Sequence, residues 1–212
     1  MIGNKPSIYN AQSVYNQGGS PVEHSVELGE PPNNVFYGTQ KIGPLYWTTE
    51  NLDLDLGWAS GCANTTNPVA GYYDNDINYN YKHKRFGLLY NWYGAKAVND
   101  YLISIESKWR VPTTDDVQKL IEYIGGGEQC NKLKTDYNWV YSSGTNDFGF
   151  SAYGSGFYES AFYSVLNINY LWTMTQVDAV YAKSFQISNT INCEIQMDKK
   201  LRCYSIRLCC DA

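Results

Sequence analysis

Histidine is the side chain best suited to move protons near neutral pH, and this chain of 212 residues has two, His24 and His83. His83 stands in Tyr81-Lys82-His83-Lys84-Arg85, a crowd of cations that suits a surface loop better than a general base. No serine occupies a GxSxG elbow, and no cysteine has the flanks of a known thiol nucleophile. Gly125-Gly126-Gly127 has the composition of a phosphate cradle, but it follows a helical pattern instead of opening one and lacks a GK[ST] ending. It reads as a helix stop. Asp53, Asp55, Asp74 and Asp76 lie in asparagine-rich stretches that could gather oxygen ligands around calcium, yet the EF-hand pattern is absent and such stretches are more often turns. The six cysteines, Cys62, Cys130, Cys193, Cys203, Cys209 and Cys210, form no CxxC pair with zinc-like spacing. They are expected to be mostly buried thiols, with one long-range bridge left open. The expectation is a chain with no catalytic residue, no metal and no cofactor.

What the chain has in excess is tyrosine: 20 residues, among aromatics that make up 16% of the chain, many of them beside asparagine, serine or glycine. Tyrosine and tryptophan bring rigid contact area at low entropic cost, and the small polar residues supply adaptable hydrogen bonds, as in a recognition surface. A β-rich core that uses tyrosine in its strands is the alternative. Sixteen basic against twenty-one acidic side chains leave a net charge of -5 with no dense basic cluster, which argues against nucleic acid as a partner. Apolar runs such as Gly87-Leu88-Leu89-Tyr90 fall far short of the ~20 residues that span a bilayer, so no membrane insertion is expected. The opening Met1-Ile2-Gly3-Asn4-Lys5-Pro6 lacks a secretion signal's apolar stretch, which leads to the expectation of a protein that stays where it is made.

Residues 1–40 contain Pro6, Gly18, Gly19, Pro21, Gly29, Pro31 and Pro32 and no sustained period, so they are expected to be an extended arm for docking or oligomerisation. The domain is placed at 41–212. Thr113 caps a helix in which Asp115 and Asp116 face the positive end of the dipole and Val117, Leu120, Ile121 and Ile124 form one stripe. An earlier helix is expected over 88–98, ending at Asn99-Asp100. Ile191, Cys193, Ile195 and Met197 alternate with polar residues as in a half-buried strand, and Tyr204, Ile206 and Leu208 alternate as its returning partner, with a further strand over 179–187. The fold class is α+β, two helices with small antiparallel sheets.

These landmarks resemble a known family. Trp47-Thr48-Thr49-Glu50-Asn51-Leu52 is similar to the WxxENL opening of the Fibrobacter succinogenes major paralogous domain, Gly87-Leu88-Leu89-Tyr90-Asn91-Trp92 to its YGxLYxW segment, and Trp109-Arg110-Val111-Pro112-Thr113 to its GWxLPT helix start. Phe148-Gly149-Phe150-Ser151-Ala152 resembles FGFSA, Leu171-Trp172-Thr173-Met174-Thr175 resembles YWSST, and Ser205-Ile206-Arg207-Leu208-Cys209 resembles the terminal SVRC strand. The resemblance covers about 47–210. Lys108 stands where the family has glycine, and the cysteine that often precedes this tryptophan is missing. The resemblance implies a C-type lectin-like fold in which Trp47, Trp92, Trp109, Phe148, Phe150 and Trp172 are scaffold and the long loops bind. The EPN, QPD and WND motifs of calcium-dependent lectins are absent. Formylglycine-generating enzymes share a related fold, but no segment resembles their copper site, although Cys203 and Cys209 are not excluded as soft ligands by spacing alone.

Between FGFSA and LWTMT the chain is rich in Tyr, Phe, Asn and Ser, as in the variable proteins of diversity-generating retroelements or in a plain β-loop with exposed tyrosines. Tyr158, Phe162, Tyr163, Asn167, Asn169 and Tyr170, with Asn189, are the candidate ligand contacts. The functional expectation is a non-enzymatic binding module, a bacteriophage head or tail fibre subunit whose arm, residues 1–40, docks on other virion proteins. Its domain would bind a bacterial surface glycan or protein, and the subunit would form a dimer or trimer. A purely structural virion decoration subunit and a bacterial cell-surface adhesin are the alternatives.

Overall fold

Leu45–Thr48 (β3) opens with Leu45 and Trp47 pointing into the core, and Gly43, at a φ of 64°, turns the chain into it from Val35–Ile42 (β2). In this computed structural model residues 25–28, 35–58, 61–77, 86–141, 144–189 and 192–212 are described. Ser25–Leu28 (β1) pairs antiparallel with β2, and the last strand, Cys209–Asp211 (β11), pairs with β3, giving the sheet order β1-β2-β3-β11. The expected boundary at 41 therefore falls inside β2, and the last residues of the expected arm belong to a sheet. The rest of the arm, with His24, lies outside the described residues, as does His83.

Ala70–Gly71 (β4) and Leu89–Tyr90 (β5) make a two-stranded ribbon, after which Asn91 starts Trp92–Ser104 (α1) by accepting the Gly94 N–H at 2.8 Å. This helix begins four residues later than 88 and ends beyond 98. Tyr90 is committed to β5, while Asn99 and Asp100 are tolerated because Asn99 accepts the Val111 N–H at 3.1 Å and Asp100 pairs with Lys96 at 2.6 Å. Its buried face, Trp92, Ala95, Val98 and Leu102, packs in one core with Trp109, Trp172, Ile206 and Leu208.

Thr114–Ile124 (α2) is the helix expected from its period. Thr113 accepts the Asp116 N–H at 3.3 Å, Asp116 accepts the Thr113 N–H at 2.9 Å, and Gly125 ends the helix in the left-handed conformation at a φ of 100°. Although burial opposes its charge, the hydrogen bonds from Thr113 and the Arg110 guanidinium hold the Asp116 carboxyl below its ordinary value. Thr113→Ala is expected to lower stability by about 1 kcal/mol without loss of fold, read as a shift of the urea midpoint with an unchanged slope.

Ser155–Tyr158 (β6), Phe162–Val165 (β7), Ile168–Gln176 (β8), Tyr181–Ser188 (β9) and Cys193–Lys199 (β10) form the second sheet in the order β10-β9-β8-β6-β7. Leu171, Phe185, Ile187 and Cys193 cover one face and meet Val117, Leu120 and Ile124 of α2 in a second core. The expected hairpin between 191–197 and 204–208 is not formed. Strand β10 pairs with β9, Cys193 opposite Ile187, and residues 204–209 run instead through the middle of the molecule. Tyr204 exchanges backbone hydrogen bonds with Tyr90, Ser205 with Tyr170 and Trp172, and Cys209 with Arg110, while the Leu52 N–H donates to Ile206. Both faces of this segment are covered: Cys203 through Cys210 are all at most 1% exposed.

A polar line accompanies that segment through the core. The Arg207 Nε donates to Asn51 Oδ1 at 2.8 Å, Asn51 Nδ2 to Ser205 Oγ at 3.2 Å, and Ser205 Oγ lies 2.9 Å from Ser155 Oγ, which donates to Asn169 Oδ1 at 3.4 Å. The architecture is α+β.

Candidate functional site

Strand register decides which side chains share the face of the second sheet opposite α2. Tyr170 lies across from Gln186, and Gln186 from Glu194; one row on, Trp172 lies across from Ser184, and Ser184 from Gln196. Trp172 and Ser184 are fully buried, Tyr170, Gln186 and Gln196 are half-buried, and Glu194 is exposed. Tyr204 comes from the central segment and slides its ring between them, stacked on Tyr170 at 4.6 Å with the planes 13° apart and 4.5 Å from Trp172. Phe157 of β6 stands edge-on to both tyrosines, at 5.4 Å from Tyr170 and 6.0 Å from Tyr204, and touches Tyr163 of β7 at 5.5 Å. The result is an aromatic shelf whose outer member, Tyr163, is 42% exposed and whose inner members are fixed by rings on more than one side.

Charge borders the shelf. The Arg202 guanidinium lies over Phe157 at 6.0 Å, donates to Asp198 at 2.5 Å and to Glu159 at 3.0 Å, and approaches the Tyr204 hydroxyl at 3.4 Å. Asp198 also accepts the Ser184 hydroxyl at 2.6 Å, and Lys199 reaches the outer oxygen of Glu159 at 3.9 Å. Despite the penalty of burial, Glu159 and the other partners hold the Arg202 guanidinium above its ordinary value. Burial pushes the Tyr204 and Tyr170 phenols up, with Asp198 adding to the rise, so both rings stay neutral over the physiological range. The arrangement offers flat apolar faces beside hydrogen-bonding carboxylate, guanidinium and amide groups. It places no nucleophile beside a base.

The seven candidate contacts separate into three groups. Tyr163 and Tyr170 belong to the shelf. Tyr158 and Phe162 pack together at 5.1 Å on another side, where Phe162 also meets Tyr73 at 5.1 Å, over Cys62, Val69, Leu89 and Cys203. Asn167 and Asn189 bond each other, side chain to side chain at 2.8 Å and backbone to backbone at 2.9 Å, and so close the loop before β8 against the end of β9. Asn169, at 0% exposed, is part of the internal polar line. Those three asparagines hold the chain together around the shelf and do not face outward as a group. Phe157, Glu159, Gln186, Glu194 and Arg202 were missing from the candidate set. Among them only Glu194 carries a local signal, its place on the polar side of the β10 alternation; the other four are brought to the shelf by strand register and by the central segment.

Elsewhere the expected turns and scaffold are in place. Asp55 accepts the Gly57 and Trp58 N–H groups at 2.8 and 3.0 Å, an Asx turn, and Asp53 accepts the Tyr72 hydroxyl at 3.0 Å. Among the described residues no three of His, Cys, Asp and Glu gather as metal ligands. Cys203 lies beside Cys62, whereas Cys209 lies beside Asp116 and Arg110, so the two thiols weighed as soft ligands do not meet. Trp47, Trp92, Trp109, Phe150 and Trp172 are buried, and Phe148 is half-buried against Tyr123. No helix is long and apolar enough to cross a membrane among the described residues. The family model described as the Fibrobacter succinogenes major domain matches residues 41–209. No curated protein and no solved structure matches the chain.

Proposed function

The chain belongs to the Fibrobacter succinogenes major domain family, and on that premise we propose that it is a non-enzymatic binding module of C-type lectin-like fold. The shelf of Phe157, Tyr163 and Tyr170 is its recognition surface. The observation that carries this reading is the support beneath the shelf: Tyr204, itself backed by Trp172, braces Tyr170 from below, and the Arg202 network fixes the edge. Rings held this way lose little further entropy on binding, which is what makes aromatic contacts effective anchors. Flat faces beside Glu159, Gln186 and Glu194 suit a pyranose ring, whose C–H face stacks and whose hydroxyls need acceptors and donors at the rim. A bacterial surface glycan is therefore the preferred ligand and a protein the second. The virion fibre setting is proposed from the sequence expectation alone.

The test is binding of the whole purified chain to an array of bacterial surface polysaccharides, followed by titration of the best ligand. Tyr163→Ala is expected to weaken that ligand at least tenfold, since an aromatic anchor contributes about 2 kcal/mol or more, while the unfolding midpoint stays within the range of a surface exchange. A structural subunit would behave differently: Tyr163 would be covered by a second copy, and the same substitution would lower the mass measured by light scattering without touching any glycan.

A further inference from the structure

Four of the six cysteines meet in two separate places that are remote in sequence. Cys62 lies in the loop that leads into β4, with its Sγ 3.6 Å from the Leu89 carbonyl of β5 and 3.9 Å from the Gly71 carbonyl of β4. The central segment reaches the same ribbon through the paired hydrogen bonds of Tyr90 and Tyr204, at 2.7 and 2.8 Å, and this brings Cys203 into the apolar group of Cys62, Val69 and Leu89. The second place is where the short 3-10 helix Gly127–Lys132 crosses the start of β10. The Cys193 Sγ lies 3.5 Å from the Gly127 carbonyl, and a Cβ on Gly127 would meet the Cys193 carbonyl oxygen at 2.5 Å, so the two backbones are pressed together. Cys130, later in that short helix, turns its thiol to the Ser188 carbonyl at 4.0 Å, on the strand that pairs with Cys193. Cys62 and Cys203 thus share one small buried group, and Cys130 and Cys193 share the core at the crossing of the short helix and β10. All six cysteines are thiols and all are buried.

We infer that the fold carries two cystine sites, Cys62 with Cys203 and Cys130 with Cys193, which close when the chain folds in the presence of a small-molecule disulfide as oxidant. Packing alone does not require cysteines remote in sequence to meet, and two such meetings across 141 and 63 positions are more than apolar filling asks for. In each closure one protein thiolate attacks a sulfur of the oxidant, whose S–S bond breaks and releases one small thiol. The second protein thiolate then attacks the mixed disulfide, forms the cystine and releases the other. Two protein thiols are oxidised, the reagent's disulfide is reduced to two thiols, and the two protons pass to them. Cys209 is set apart, its thiol pushed up by burial and directed to Asp116, and Cys210 is its chain neighbour. These two are expected to remain thiols.

The experiment refolds the full chain from the reduced, unfolded state with and without a mixture of oxidised and reduced glutathione, then blocks free thiols in denaturant and maps the peptides by mass spectrometry without reduction. The expected result is two linked peptide pairs, Cys62 with Cys203 and Cys130 with Cys193, and alkylated Cys209 and Cys210. The oxidised protein should also unfold on the order of 10 °C higher than the reduced one. Six alkylated cysteines in the oxidised and folded sample overturn the inference, as do bridges that use Cys209 or Cys210. The double variant Cys130→Ala with Cys193→Ala keeps the test decisive where one site fails to fold: it must still form the Cys62–Cys203 link.

Discussion

Arg207→Met is expected to cost the fold on the order of 5 kcal/mol. The guanidinium is completely buried and spends its donors on Asn51 Oδ1 at 2.8 Å, the Thr48 carbonyl at 2.8 Å, the Phe150 carbonyl at 2.5 Å and the Ser151 carbonyl at 2.8 Å, with its plane 4.7 Å over the Phe150 ring. Methionine fills most of the space but leaves those acceptors without partners in the core, at about 1–3 kcal/mol for each. Summed over the site this is on the order of 5 kcal/mol, a large part of what a domain of this size has. Lysine does not rescue it, since one ammonium cannot reproduce a planar fork that serves acceptors on three sides. Burial lowers the Arg207 pKa to about 10, so the charge itself costs stability below that pH, and the four hydrogen bonds offset the cost. The sign follows from linkage: the unfolded chain holds this proton more tightly, so this group's contribution to stability rises with pH only above about 10. Urea unfolding followed by tryptophan fluorescence measures the effect. A midpoint displaced by no more than a surface substitution would show that the polar line through Asn51, Ser205 and Ser155 does not depend on Arg207.

Arg207 also marks where local sequence patterns stop being informative. The helix α2 was legible because its signals are local: Thr113 and Asp116 cap each other across three positions, and Gly125 ends what Val117, Leu120 and Ile124 begin. The alternation of Tyr204, Ile206 and Leu208 with Cys203, Ser205 and Arg207 was equally regular, and it reads as a strand with one wet face. Here both faces are dry. The polar side is satisfied by residues as distant as Thr48 and Asn51, and no period in the chain reports that. The same reason divides the candidate site. The richness of 153–170 in tyrosine and asparagine points to β6, β7 and β8, but composition does not distinguish an asparagine that faces solvent from one that ties Asn167 to Asn189. Glu159 and Arg202 are 43 positions apart and become neighbours only because the central segment brings 202–204 beneath β6. Asp198, Lys199 and Lys200 have the composition of ordinary polar punctuation, whereas Asp198 and Lys200 are buried, with Lys200 over the Trp92 ring at 4.4 Å.

The second large effect is expected at that edge of the shelf, and it is conditional on a partner. Asp198 is 6% exposed at its side chain and is neutralised within the protein by Arg202 at 2.5 Å. Arg202→Met removes the cation while leaving the carboxylate where it is, and a buried charge stripped of its partner costs about 3–5 kcal/mol. Asp198→Leu is expected to cost less, because Arg202 keeps Glu159 at 3.0 Å and its own side chain is 28% exposed. The double variant should recover most of the loss, since two apolar side chains of similar volume often replace a buried pair without penalty. A cycle of unfolding measurements on the four proteins gives the coupling directly. If Arg202→Met alone costs no more than about 0.5 kcal/mol, as a surface change does, the ion pair does not brace the shelf. The stacked rings of Tyr170 and Tyr204 would then owe their position to packing alone. If instead the single change is costly and the double is not, the recovered protein separates bracing from contact. It keeps the rings and the carboxylate of Glu159 but lacks the guanidinium, so ligand affinity retained in it assigns recognition to the aromatic faces, and affinity lost in it assigns a direct contact to Arg202.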